Sequence, residues 1–184
     1  MALSNEQGVP SPTTRLWFRT WREDDFPLAI ALWGDPHVTA FIGGPFSDDQ
    51  IRQRLEKEIA LQRDHRLQYW PIFLREGLAH VGCCGLRPYD SKQGIMEIGF
   101  HLRPEHWGKG LAIEAARAVM AYAFGPLRAK ALFAGHHPDN DASRKAVQRL
   151  GLRYTHDQLY PPTGRNHPSY LLTREEYLRQ DAPD

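Results

Sequence analysis

Gly108-Lys109-Gly110 stands between a segment that alternates like a strand, Ile95–Leu102, and an alanine-rich segment of strong helix formers, Leu111–Phe124. Strand, glycine loop and helix therefore follow in that order. The start of a helix exposes unpaired backbone N–H groups and the positive end of the helix dipole. A glycine loop leading into it can surround a pyrophosphate with donors. The same pattern also serves as a simple tight turn. Two common phosphate loops do not fit: Lys109 is followed by Gly110 and not by a hydroxyl residue, and no Gly-x-Gly-x-x-Gly is present.

The segments around this loop point to a mixed, largely antiparallel sheet with helices. Residues 15–19 read as a first strand, and residues 23–27 offer an acidic N-cap with Pro27 near the first helical position, predicting a helix to Gly34. Ser47-Asp48-Asp49 opens a second helix in which Ile51, Leu55 and Ile59 form one apolar stripe. Tyr69–Leu74 and residues 80–86 form a hairpin, with Pro71 indicating an edge or a bulge, and Ile95–Leu102 adds a third antiparallel strand. After the Leu111–Phe124 helix and its Gly125-Pro126 stop come a strand at 131–135, a helix at 140–150, strands at 152–155 and 169–173, and a short helix at 174–179. With 184 residues, the expectation is a single domain over 14–180 behind a disordered tail at 1–13.

Charge and cysteine content narrow the partners. Lys and Arg number 23 against 22 Asp and Glu, a net charge of +1, so no global field draws the chain to nucleic acid or to a membrane. Arg128, Lys130, Arg144, Lys145 and Arg149 either gather into a small basic patch or are solvated faces. No apolar run is long enough to span a bilayer and the start lacks a secretion signal, so a cytoplasmic location is expected. Cys83 and Cys84 would point to opposite faces of a strand, against a disulfide between them. His136 and His137 lack partners at ligand spacing and read as loop histidines, and no metal site is expected.

The run Ile98-Gly99-Phe100-His101-Leu102-Arg103-Pro104-Glu105-His106-Trp107-Gly108-Lys109-Gly110-Leu111-Ala112-Ile113-Glu114-Ala115 resembles motif A of the GNAT acyltransferases. Asn140-Asp141-Ala142-Ser143, followed by Leu150-Gly151-Leu152, is similar to that family's motif B. The opening, with Arg15-Leu16-Trp17-Phe18-Arg19 and then Asp24-Asp25-Phe26, looks like the ribosomal-protein N-terminal acetyltransferase branch. The resemblance covers roughly residues 14–173. It implies an α/β acyl-CoA N-acyltransferase fold, acetyl-CoA as co-substrate, a primary amine acceptor and a possible homodimer. It also implies that the strand carrying Phe100, His101 and Leu102 splays from its neighbour at a bulge to admit the pantetheine arm. Those three residues would then bind acetyl-CoA together with Trp107, Gly108, Lys109, Gly110, Leu111, Ala112, Asn140 and Ser143. Trp107 departs from the family's Gln or Arg at the first loop position, which removes a side-chain donor but no backbone donor.

Acetyl transfer to an amine needs a neutral nucleophile, a polarised thioester carbonyl and a proton for the departing sulfur. Glu97 is the candidate base on the strand leading to the cofactor, or else an ion-paired glutamate of the outer face. Glu114, in the first turn of the helix after the loop, reads as structural. Val147 stands where many relatives have a tyrosine, and resemblance then makes Ser143 the partner of the sulfur and Asn140 a contact to pantetheine. Asn140 also suits the helix N-cap. His101, His106 and Tyr170 are candidates for the acceptor pocket, whereas Trp17, Phe18 and Trp21 read as core. Asp24, Asp25, Asp48 and Asp49 would favour polycationic acceptors only if they faced the pocket. The acceptor is a peptide or protein N-terminus, or alternatively a small amine or antibiotic; a third possibility is a non-catalytic acyl-CoA-binding module. Residues choosing the acceptor are expected in the first two helices and in a loop at 160–169.

Overall fold

A computed structural model describes residues 8–180. Seven strands form one sheet in the order β1-β2-β3-β4-β5-β7-β6. These are β1 (Leu16–Phe18), β2 (Tyr69–Leu74), β3 (His80–Asp90), β4 (Ile95–Leu102), β5 (Ala131–Gly135), β6 (Arg153–Tyr160) and β7 (Arg165–Thr173). Every neighbouring pair is antiparallel except β4 with β5, which the helix α4 (Leu111–Phe124) joins as a crossover. This is the mixed, mostly antiparallel α/β architecture expected from the strand and helix patterns.

The two faces of the sheet carry separate cores. On one, α4 packs Leu111, Ala115, Val119 and Met120 against Trp70, Val81, Cys84, Leu86 and Ile98. On the other, α1 (Phe26–Trp33) and α3 (Asp48–His65) bury Trp33, Ile51 and Leu55 with Trp21, Tyr69 and Cys83. Cys83 and Cys84 thus do face opposite ways, and both are free thiols. Phe18 and Trp21 lie in these cores as expected. Ser47 caps α3 through a reciprocal pair with Gln50: its Oγ accepts the Gln50 amide while Gln50 Oε1 accepts the Ser47 amide.

Several boundaries differ from the sequence expectations. The helix predicted over 23–34 is a 3-10 turn at Glu23–Asp25 followed by α1, and a short α2 (Pro36–Thr39) starts anew behind the Asp35 cap. Pro71 is on an inner strand. It is tolerated because β1 ends at Phe18, opposite Ile72, so no neighbour requires the missing N–H, and the β2–β3 register shifts between Ile72 and Phe73. The loop expected at 160–169 is mostly strand: β6 and β7 make a long hairpin closed by a turn at 161–164. Of the tail expected at 1–13, residues 1–7 lie outside the described residues, while Val9 belongs to the α4-side core and Thr13 bonds to α4.

Candidate active site

Strand β4 pairs with β5 only through Ile95↔Ala131, Met96↔Leu132 and Glu97↔Phe133. Beyond Glu97 it stays in register with β3 as far as Leu102, while β5 has left it to follow β7. The strands part here, with regular β3–β4 pairing from Gly82 to Pro88, so the gap arises without a bulge at Phe100. A cavity of about 540 Å³ opens at the parting. The glycine loop, the end of β5, the start of α5 (Asp141–Arg149), Arg54 of α3 and the β6–β7 hairpin surround it.

Alternation along β4 assigns its residues to two roles. Ile98, Phe100 and Leu102 pack on the α4-side core, leaving their main chain rather than their side chains for a ligand in the gap. Glu97, Gly99 and His101 face the α1 and α3 side. Here Tyr69 donates its hydroxyl to Glu97 Oε1 at 2.8 Å. Gly99 permits this contact, since a Cβ at that position would sit 2.2 Å from the Tyr69 oxygen. Arg87, opposite Glu97 in the β3–β4 register, lies over the Tyr69 ring at 4.3 Å and pairs with the buried Glu58.

Histidines complete this side. Trp33 donates its indole N–H to His101 Nδ1 at 3.3 Å, which makes that nitrogen an acceptor. Burial, with the charges of Arg54 and Arg87, pushes the His101 pKa well down, so the ring is neutral. His106 also lines the cavity, its pKa lowered chiefly by burial.

The glycine loop has the shape that phosphate binding requires. Gly108 and Gly110 adopt φ of 71° and 74°, a left-handed conformation that favours glycine, and Gly110 leads directly into α4. The amides of Leu111 and Ala112 begin that helix at the cavity wall. Trp107, half-exposed, donates its indole N–H to the Leu102 carbonyl at 2.7 Å and thereby ties the loop to β4. Lys109 is different: its Nζ donates to the Glu105 carbonyl at 2.7 Å, and the residue does not line the cavity. Glu114 is structural, as expected, although its partners are Thr13 and Arg15.

On α5, Asn140 caps the helix by accepting the Ser143 amide at 3.0 Å. Ser143 and Val147 follow it along the cavity wall. The adjacent histidines follow β5 in a loop, as expected. His136 is buried, donates from Nδ1 to the His137 carbonyl at 2.9 Å, and lies 3.3 Å from the Tyr170 hydroxyl. That contact occupies Tyr170, which is buried and outside the cavity lining, contrary to its expected place in the acceptor pocket.

The aromatic wall has no local signature in the sequence. Tyr89 stacks on Phe133 with ring centroids 3.9 Å apart, and Phe41, His137, His167 and Tyr160 form a second chain of ring contacts at 4.6 to 5.4 Å. His167 and Ser169 share the inward face of β7. Both are polar and Pro168 stands between them, so no alternation of apolar residues marks the strand. Gly43 meets Pro162, where a Cβ would stand 3.0 Å from the proline, so the α2–α3 connection touches the hairpin turn. Asp24, Asp25, Asp48 and Asp49 do not line the cavity, and Asp25 is held by Arg19 at 2.5 and 2.7 Å.

Residues 15–153 match the family described as the acetyltransferase (GNAT) domain. The chain belongs to the GNAT acetyltransferases. Among its relatives is the uncharacterized N-acetyltransferase p20 of Bacillus licheniformis, 31% identical over 143 residues that cover 77% of this chain and 80% of that protein. A GNAT-family acetyltransferase from Bacillus anthracis superposes with a TM-score of 0.78 at 22% identity, covering 91% of this chain and 99% of its own. RimL, a ribosomal L7/L12 alpha-N-protein acetyltransferase in complex with coenzyme A, superposes at 0.77 with 16% identity, covering 90% and 98%. These superpositions establish the acyl-CoA N-acyltransferase fold of this GNAT chain, which is an N-acetyltransferase.

Proposed function

We propose that this GNAT chain moves an acetyl group from acetyl-CoA to a primary amine by direct attack, with Glu97 as base and Ser143 as partner of the departing sulfur. The observation that carries the reading is the position of Glu97: it is the last β4 residue paired with β5, and its side chain lines the cavity that opens beyond it.

The residues present suit acetyl-CoA. Main-chain groups of β4 past Glu97 have no β5 partner, and the left-handed glycines bring the first amides of α4 to the same cavity. Bound there, acetyl-CoA supplies a thioester carbonyl carbon and a thiolate leaving group. Glu97 accepts a proton from the amine nitrogen as that nitrogen bonds to the carbonyl carbon and the C–S bond breaks. The Ser143 hydroxyl donates a hydrogen bond to the departing thiolate, which is protonated from solvent to leave as the thiol, while Glu97 returns the amine proton to solvent before the next turnover, so protons balance. Tyr69 holds the Glu97 carboxylate in place and Arg87 lies behind it.

Acceptors of small size are favoured by the contact between Gly43 and Pro162, which joins the α2–α3 connection to the hairpin turn beside the cavity. The test is thiol release from acetyl-CoA with a panel of small amines and peptides, followed by identification of the N-acetyl product. Acetyl-CoA binding without thiol release from any amine between pH 6 and 9 would sink the proposal in favour of a binding module.

A further inference from the structure

Two guanidiniums, of Arg54 and Arg87, line the cavity on the α3 side. The buried carboxylate nearest them, Glu58, is fully engaged: Oε1 pairs with Arg87 and Oε2 accepts the Tyr69 amide at 2.8 Å. The Glu97 carboxylate holds the Tyr69 hydroxyl. Arg54, one turn before Glu58 on α3, makes no ion pair or hydrogen bond among the described residues. Its Nε is buried without an acceptor, and its guanidinium carbon lies 4.7 Å from the Trp33 ring centre and 6.0 Å from that of Phe46.

Such a group is out of place without a ligand. Burial first, then the charge of Arg87, lowers the Arg54 pKa, outweighing the attraction of Glu58. A desolvated cation beside a second cation is unfavourable until an anion joins it. The guanidinium lies over the Trp33 ring, and a planar fork with free N–H groups matches a carboxylate through two parallel hydrogen bonds. Arg87 cannot take that part, because its charge is already met by Glu58.

We infer that Arg54 anchors a carboxylate carried by the acceptor, which makes the acceptors of this enzyme amino-carboxylates: small amines with a carboxylate on the same molecule. This rests on the acetyl-transfer reading of the cavity. It gives the acceptor two fixed ends, the carboxylate at Arg54 on α3 and the amine at Glu97 on β4, both on one wall system of a single cavity.

The experiment compares amino-carboxylates of different amine-to-carboxylate spacing with their carboxamides, and with peptides whose first residue is Asp or Glu. Thiol release is followed for the wild type, Arg54→Met and Arg54→Lys. The wild type should prefer an amino-carboxylate over its carboxamide. In Arg54→Met that preference, the ratio of the two kcat/KM values, should fall about 10- to 100-fold, the worth of a charged hydrogen-bonded contact. Arg54→Lys, with the charge but not the fork, should lie between. Effects on amine basicity cancel in this comparison. A wild-type enzyme indifferent to the carboxylate, or a preference unchanged in Arg54→Met, overturns the anchor while leaving acetyl transfer intact. A preference confined to the acidic peptides overturns the small-molecule class and keeps the carboxylate contact. Should no amine release thiol, the transfer reading falls by itself. Calorimetric titration of the same pairs into the CoA-loaded protein then decides the anchor, equal binding of carboxylate and carboxamide overturning it. If Arg54→Met does not fold, the wild-type preference and Arg54→Lys carry the test.

Discussion

Tyr69 donates its hydroxyl to Glu97 across the space left by Gly99, at 2.8 Å. Three strands thus meet in one contact, since Tyr69 starts β2, Glu97 and Gly99 are on β4, and Arg87 of β3 stacks on the same tyrosine. The carboxylate proposed as base is held by the sheet and not by a loop, which limits its freedom before any substrate arrives.

Replacing Glu97 with Gln keeps the shape and removes the base. Loss of a positioned general base typically costs about 10²- to 10⁴-fold, so kcat/KM should fall by that order while CoA affinity is retained. Steady-state thiol release and calorimetry on the same preparation check this. Equal activity in the two proteins would remove Glu97 from the base role.

Gly99→Ala should impair the same step from one residue away. Its Cβ would fall 2.2 Å from the Tyr69 oxygen and 2.7 Å from the ring carbon that bears it, so the ring must move off Glu97. A destabilisation of about 1–3 kcal/mol is expected from the overpacking, read by urea denaturation. Activity should drop further than in Tyr69→Phe, which only removes the hydroxyl. An alanine variant with wild-type stability and rate would show that the ring is free to step aside.

Arg87→Met leaves Glu58 as a buried carboxylate with only the Tyr69 amide as partner. Breaking a buried pair on one side costs about 3–5 kcal/mol, so a large loss of Tm should follow, and Glu58→Gln in the same chain should restore part of it. Failure of the double variant to recover any stability would contradict this account.

The buried ring of His80 makes stability fall with acid. Burial first, then the charge of Arg103, pushes its pKa down to about 4, with Arg19 adding to the effect and Asp25 opposing it. The unfolded chain, with a histidine near 6.5, binds the proton more readily than the folded one between those values. Stability is therefore whole above pH 6.5 and declines as the pH falls towards 4, by up to about 3 kcal/mol for this group. Denaturation midpoints across that range, compared with His80→Phe, should show a shallower slope in the variant.

Native protein should leave thiol reagents unreacted. Cys83 is buried with its pKa pushed up to about 12, and Cys84 is raised well above its usual value by burial. Titration with an aromatic disulfide reagent should report no thiol until denaturant is added, so CoA release can be followed with the same reagent. Rapid labelling of the folded chain would contradict the burial of both residues.

Sequence reasoning finds the glycine loop, the strand before it and the capped helix at Asn140 because each rests on a local signal: paired glycines before a helix, a period of two, an N-cap. It missed what is assembled across the sheet. Nothing local to Arg54 distinguishes it from the other charged residues of α3, and its stacking on Trp33 appears only once α1 and α3 pack together. The β6–β7 hairpin was shortened at both arms because β6 is exposed along its whole length and Pro168 interrupts β7, which erases the alternation by which a strand is recognised. Tyr170 falls outside the acceptor pocket because its hydroxyl meets His136, 34 residues earlier in the chain, a contact that no local signal announces.

The segment leading into the first strand does more than bring the chain to one edge of the sheet. Arg15 gives a hydrogen bond to the Lys109 carbonyl at 2.9 Å and, with Thr13, supplies hydrogen bonds to Glu114 in the first turn of α4. The glycine loop is thus clamped from a point some ninety residues earlier in the chain. A protein trimmed to begin at Trp17 would keep every residue of the loop and lose the clamp. A change in the loop of such a protein would have its origin in residues that do not line the cavity.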